Sequence, residues 1–203
     1  MNRADKVSVV NIRELITNDS LKPGEKTLPE ILSGFSCPQN PDVEHFLKKN
    51  AIEFTKKNQS VTYMILNFEN GDLLGYFTLA MKPLTIRGDL ISNTGKKKLA
   101  RISKVDEQLN TYTMAAYLIA QLSKNFAGEA SSQITGKDIL DLAIERLLQA
   151  QYLCGGVVTF LEANNEEKLL SFYDQNLFRR FDSRHKALAD GEQHEYVQLM
   201  RLF

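Results

Sequence analysis

Two apolar runs, Val61 to Phe68 (VTYMILNF) and Leu73 to Met81 (LLGYFTLAM), flank the polar segment Glu69-Asn70-Gly71-Asp72. Asn-Gly is the dipeptide that most readily takes the left-handed backbone of a tight hairpin turn, so the two runs are expected to pair antiparallel. Whatever else the chain forms must be built around this ribbon.

Upstream, Lys6 to Ile16 (KVSVVNIRELI) is rich in β-branched residues and reads as a strand or a strand-to-helix transition, followed by a turn over Asn18 to Thr27 with Pro23 and Gly24. A loop from Phe35 to Pro41 precedes an amphipathic helix to Asn58, with Val43, Phe46, Leu47 and Phe54 at helical spacing and Pro41 near its start. Downstream, Pro83 to Asn110 is polar. Thr113 to Leu122 is apolar and of strand length, and Lys137 to Gln151 shows Leu140, Ala143, Ile144, Leu147 and Leu148 on one helical face. Gly155 to Ala163 reads as a buried strand, about Asn165 to Gln175 as a short helix, and His194 to Leu202 as a closing strand. Strands alternating with helices after residue 113 imply a partly parallel sheet covered by helices, and the hairpin adds an antiparallel portion. The fold class is mixed α/β.

The 203 residues suit one domain, and 25 Lys and Arg balance 25 Asp and Glu, so no whole-molecule field draws the chain to polyanions. Any such contact must be local, and in the window 82–107 seven cations (Lys82, Arg87, Lys96, Lys97, Lys98, Arg101, Lys104) face three acids (Asp89, Asp106, Glu107). A cluster of this kind is either a solvated face or a phosphate-binding surface. Cys37 and Cys154 form no CxxC pair and the three histidines have no metal-ligand spacing, so neither a metal site nor a disulfide framework is expected, and His45 reads as a surface or boundary residue. With no signal-peptide pattern and no run of membrane-spanning length, the expectation is a soluble, cytoplasmic protein without membrane contact.

The stretch that carries chemistry is Ser131-Ser132-Gln133-Ile134-Thr135-Gly136-Lys137-Asp138, a loop of small residues that opens a helix. The free N–H groups and partial positive charge of a helix amino end bind phosphate, and Gly136 permits close backbone approach. Thr135 and Asp138 also have the spacing of a capping box, which by itself would explain the pattern.

Gln133 and Gly136, at this spacing, resemble the pyrophosphate loop of the GNAT acyltransferase superfamily, with Asp138 where that family places a small residue. Such a carboxylate would repel a diphosphate unless it folds back as a helix cap. The resemblance spans roughly residues 35–203. FSCPQNPDVEHFLKKNAIEF, VTYMIL and GYFTLAMKPL are similar to the N-terminal half of GNAT toxins that acetylate aminoacyl-tRNA, and Leu118 to Lys124 to the family's central strand. Leu161 to Phe178 (LEANNEEKLLSFYDQNLF) resembles its last strand, Asn-started helix and Phe-Tyr pair, with Leu177 in place of the usual Gly and Asn176 as candidate for the left-handed position. The resemblance implies a single GNAT-like domain over 1–203 with 1–34 packed on it, a central mixed sheet with an antiparallel N-terminal portion, and N-acetyl transfer from acetyl-coenzyme A (acetyl-CoA) to a primary amine, with no metal. It places the cofactor against main-chain groups of Leu122, Ser123 and Lys124, the loop Gln133, Ile134, Thr135, Gly136, Lys137 and Asp138, and Asn165, the last explained equally well as a helix N-cap. The loop from Asn125 to Gln133 is longer than usual in the family.

Tyr173 matches the family's acid, and a phenol titrating near 10 can donate to a departing thiolate; the alternative is an aromatic residue packed beside Phe172. Glu162, at a strand end, is the candidate base, or else a solvated edge carboxylate. A weak base suits an α-amine, whose pKa of about 7.7–8.0 leaves a neutral fraction, better than a lysine near 10.4. The acceptor could be a small molecule, a protein amino group or aminoacyl-tRNA, with a homodimer as candidate assembly. The remaining reading is a non-catalytic CoA-binding module.

Overall fold

The hairpin is present, as Val61–Asn67 (β2) and Leu73–Arg87 (β3), paired from Val61↔Leu79 to Leu66↔Leu73 with a register shift at Ile65/Leu66. Its turn carries Gly71 at φ 73°, and the Gly71 amide donates to the Asn67 carbonyl at 2.9 Å. The computed structural model describes residues 6–16, 27–187 and 193–203. The turn expected over 18–27 falls, apart from Thr27, outside the described residues. The strands lie in the order Val7–Asn11 (β1), β2, β3, Thr111–Lys124 (β5), Val158–Asn164 (β6), Gln193–Leu202 (β8), Arg179–Ala187 (β7), with Lys104–Asp106 (β4) paired to β5. This is an eight-stranded mixed sheet flanked by helices, the mixed α/β class that the sequence pattern implied. The chain divides into two compact units, Met1–Ala80 with Ile119–Gln149, and Met81–Leu118 with Ala150–Phe203.

In the first unit Val7–Asn11 (β1) pairs antiparallel with β2 and runs directly into Ile12–Ile16 (α1), the transition read from the sequence. Leu28–Ser33 (α2) is closed by a capping box between Thr27 and Glu30. Pro41–His45 (α3), a π-type turn Phe46–Asn50 and Ala51–Lys56 (α4) make up the expected helix after Pro41. These helices cover one sheet face, where Ile12, Leu32, Phe35, Leu47, Met64 and Tyr76 are buried together. Ala130–Gln133 (α6) and the first part of Gly136–Cys154 (α7) cover the other, against Ile65, Leu74 and Phe77. Period-two alternation along β2 and β3 supplies both apolar faces.

The second unit holds the end of β3, then Asn93–Leu99 (α5), Lys104–Asp106 (β4) and the start of Thr111–Lys124 (β5). The polar stretch after Pro83 is therefore structured: β3 continues to Arg87 because Leu84 and Ile86 are buried between exposed neighbours. Val158–Asn164 (β6) runs parallel to β5 at Tyr117↔Thr159 and Leu118↔Phe160, and antiparallel to Gln193–Leu202 (β8), which pairs with Arg179–Ala187 (β7). β7 had no signal in the sequence, because Phe181 is its one core residue. Glu167–Gln175 (α8) starts two residues later than the expected Asn165. No helix among the described residues is long and apolar enough to cross a membrane.

Candidate functional site

In the first unit, the amino end of the 19-residue α7 follows a loop tied down at three points. Ile134 is buried in the core, the Gln133 carbonyl Oε1 accepts from Asn67 Nδ2 at 2.8 Å, and Lys124 Nζ donates to the Ser131 carbonyl at 2.6 Å. Gly75 makes the approach of β5 and α7 to β3 possible, since a Cβ there would lie 2.7 Å from both Ser123 O and Ile139 Cδ1. Asp138 does fold back: its Oδ2 accepts from the Thr135 amide at 2.8 Å and hydroxyl at 2.6 Å, while the Asp138 amide donates to Thr135 Oγ1 at 3.1 Å. The capping box is thus real, and it is compatible with anion binding. The amides of Gly136 and Lys137 have no hydrogen-bond partner among the described residues, so two donors at the positive end of a long helix stay available. The Lys137 ammonium is paired with Asp141 at 2.5 Å.

The end of β5 is anchored by a residue to which the sequence pattern assigns no role. Asn125 is buried, and its Oδ1 accepts from the amides of Ser36 at 2.9 Å and Ala127 at 3.0 Å, while Nδ2 donates to the Leu73 carbonyl at 2.7 Å. Its neighbour Ser123, also buried, donates to the Lys124 carbonyl at 2.9 Å and to Cys37 Sγ at 3.4 Å. Leu122 packs into the core beneath α7. Strand end, loop and β3 are therefore one hydrogen-bonded piece. Residue order offers no distinguishing signal at Asn125, since beyond the nearby Ala127 its partners come from two distant segments.

In the second unit Tyr173 lies on α8, 8% exposed, with its ring edge-on to Phe172 at 5.1 Å and Phe178 at 5.8 Å. Its hydroxyl has no hydrogen-bond partner among the described residues. Burial among rings pushes its pKa up to about 12, because a phenolate there would lose its hydration. At neutral pH Tyr173 is a protonated donor and cannot serve as a base.

Glu162 and Tyr173 occupy opposite faces of the sheet. Leu161 and Ala163 stand across from Leu199 and Val197, and those two β8 residues line a cavity of about 600 Å³ together with Leu170, Ser171 and Asp174 of α8. The α8 side is therefore the Leu161 side, and Glu162 points away from it, accepting from Gln198 Nε2 at 2.8 Å with Arg184 Nη1 at 3.6 Å. Asn165 is not the N-cap of α8. Glu166 holds that position, and Asn165 Nδ2 donates to Glu195 Oε2 at 2.7 Å at the cavity rim. The left-handed residue after α8 is Leu177, at φ 69°, with Asn176 at φ −98°. Asn176 Nδ2 instead donates to the Phe172 carbonyl at 2.8 Å, and that bond keeps the asparagine in a right-handed conformation and passes the turn to the next residue.

No protein-family model and no curated protein matches the sequence. Solved structures do. AtaT complexed with acetyl-methionyl-tRNAfMet superposes with a TM-score of 0.63 at 14% identity, covering 94% of this chain and 93% of that one. A Tyr-to-Phe mutant of KacT gives 0.62 at 18% identity, covering 95% of both chains. A Tyr-to-Phe mutant of the AtaT toxin, bound to the C-terminus of the antitoxin AtaR and acetyl-CoA, gives 0.58 at 14% identity, covering 98% and 94%. At these identities the likeness establishes architecture: this chain has the GNAT fold of the AtaT and KacT toxins along nearly its whole length.

Proposed function

We propose that the chain is an acetyl-CoA-dependent N-acetyltransferase whose acceptor is the α-amine of an aminoacyl-tRNA, acting in the cytoplasm. The observation that carries the catalytic part is Tyr173, a phenol that stays protonated through the physiological range and whose hydroxyl has no hydrogen-bond partner among the described residues. The acceptor assignment is supported by the likeness to AtaT, whose structure holds acetyl-methionyl-tRNAfMet.

In this reading the unpartnered amides of Gly136 and Lys137 hold the diphosphate of acetyl-CoA, and the main chain at Leu122, Ser123 and Lys124 runs beside its thioester arm. Bound there, acetyl-CoA supplies an activated acyl group. The carbonyl carbon is attacked by a neutral amine, the C–S bond breaks and the departing sulfur takes a proton; the acid assigned to supply it is Tyr173, which recovers a proton from the water that receives the amine's. An α-amine with a pKa of about 7.7–8.0 offers a neutral fraction at cellular pH, so the proton it sheds can leave through water. Glu162 is assigned no proton transfer, because Arg184 and Gln198 already hold its carboxylate on the face away from α8.

Thiol release from acetyl-CoA, with charged tRNA and with a panel of small amines, tests the assignment. Turnover with charged tRNA that survives Glu162→Gln within about threefold and falls at least 100-fold in Tyr173→Phe is the expected result. Turnover with small amines alone would move the acceptor to that class. No turnover with any acceptor, together with a thermal shift on adding acetyl-CoA, would leave a cofactor-binding module.

A further inference from the structure

The second half of β3 and the excursion from it to β5 present cations that have no ion-pair partner among the described residues. Elsewhere several bases are paired with acids, as in Lys48–Glu44, Lys137–Asp141, Arg179–Asp174 and Arg180–Glu195, and those unpaired among the described residues, such as Lys49, Lys57, Lys168 and Lys186, are scattered along the chain. Arg87, at the end of β3, is matched by Asp89 at 2.5 Å. Lys82, Lys96, Lys97, Lys98, Arg101 and Lys104 have no carboxylate within ion-pair distance among the described residues, although Asp89 feels the charge of Lys96. Asp106, the nearest acid in sequence to Lys104, has its Oδ1 turned back onto the Leu109 amide at 3.0 Å.

Helix geometry places Lys97, Lys98 and Arg101 on one flank. The Ser92 hydroxyl caps α5 through the Gly95 amide at 3.1 Å, and Leu99 is fully buried, which fixes the rotation of the helix. Lys97 and Lys98 are then exposed, and Arg101, three and four residues on, lies along the same side in the turn that follows. Seating α5 requires Leu99 in the core but no particular charge at its neighbours. Cations at a helix carboxyl end gain a little from the dipole, an effect that one of them would satisfy. Two exposed lysines and an arginine, beside a half-buried Lys96 in a chain of zero net charge, match the spaced negative charges of a nucleic-acid backbone.

We propose that α5 and the turn after it form a contact surface for the phosphate backbone of the RNA acceptor, with Lys97, Lys98 and Arg101 at its centre. This rests on the aminoacyl-tRNA reading above for its biological use, and the binding itself can be measured without catalysis. Each phosphate contact contributes about 0.7–0.9 to the slope of log affinity against log salt.

The test measures fluorescence anisotropy of labelled, uncharged tRNA between 50 and 200 mM KCl, roughly the span over which such contacts separate, for the wild type and the triple variant K96Q/K97Q/K98Q. Glutamine keeps helix propensity and cap, and Arg101→Glu, outside the helix, is the second variant. Expected are an affinity loss of about tenfold in each variant at 100 mM salt and a slope reduced by about 2–3 in the triple variant. With charged tRNA, KM should rise with kcat held, and the thermal shift with acetyl-CoA should not change. Unaltered RNA affinity and slope in both variants would overturn the proposal. So would a wild type that binds poly-glutamate through these lysines and not tRNA, since that surface would belong to an acidic protein. If the wild type binds uncharged tRNA through the cluster but does not acetylate charged tRNA, the surface stands and the acceptor assignment fails. If both variants acetylate charged tRNA normally and bind RNA as the wild type does, the acceptor assignment stands and the surface fails.

Discussion

The Asp138 carboxylate lies 2.6 Å from the hydroxyl and 2.8 Å from the amide of Thr135, closing the amino end of α7 from its rim while leaving the amides of Gly136 and Lys137 without partners among the described residues. A negative charge there stabilises the helix and opposes a diphosphate, so the two effects pull against each other. Asp138→Ala should cost about 1 kcal/mol of stability by loss of the reciprocal cap. The same change should lower the KM for acetyl-CoA several-fold at low salt, less so as salt screens the charge. Denaturant melts and a salt series of initial rates check both halves. A raised KM would show that the carboxylate supports the cradle.

Tyr173, the proposed acid, also bears on alkaline stability. Its folded pKa of about 12 exceeds the unfolded value of about 10, so between those values the native state holds the proton that the unfolded chain has released. Its contribution is complete below pH 10 and lost as pH rises to 12, about 2–3 kcal/mol over two units. Tyr63, Tyr76 and Tyr117 are shifted in the same direction by burial, so the wild type should destabilise steeply in this window. Tyr173→Phe cannot ionise there, and its stability-versus-pH curve should be shallower by up to one proton. An unchanged slope would mean the ring is not buried in solution.

Leu177 holds φ 69° while its side chain is 59% exposed, so it bears the cost of a left-handed backbone with little burial in return. Leu177→Gly should stabilise the protein by about 0.5–1 kcal/mol, a rise in Tm of roughly 1–4 °C. Leu177→Val should do the opposite, because β-branching worsens that conformation. Calorimetry of the two variants separates backbone strain from loss of the side chain.

Asn125→Ala should be among the costly substitutions of the first unit. It leaves the Ser36 and Ala127 amides and the Leu73 carbonyl unsatisfied near the core, for about 3 kcal/mol or more. Amide exchange at Ser36 and Ala127 should accelerate well beyond that of β2. If exchange rises uniformly across the unit, the asparagine stabilises the fold without holding the loop in particular.

Much of the architecture was legible in residue order, because its signals are local. The Asn70-Gly71 turn between two apolar runs required a hairpin, the spacing of Leu140, Ala143, Ile144 and Leu147 marked the buried face of α7 although Leu148, read on the same face, is exposed, and Thr135 with Asp138 announced a cap that did form. β7 was invisible for the same physical reason, since a strand of charged residues with one buried Phe181 has no alternation to read. Glu162 and Asn165 needed tertiary information. Which strand face α8 covers, and that Arg184, Gln198 and Glu195 engage those two side chains, follow from pairing across segments distant in the chain. So does the environment of Tyr173, because a phenol's pKa depends on the rings packed around it and not on its neighbours in sequence. Chain order determined the elements and their caps through local backbone preference. Long-range burial and cross-strand pairing alone decided which polar groups meet.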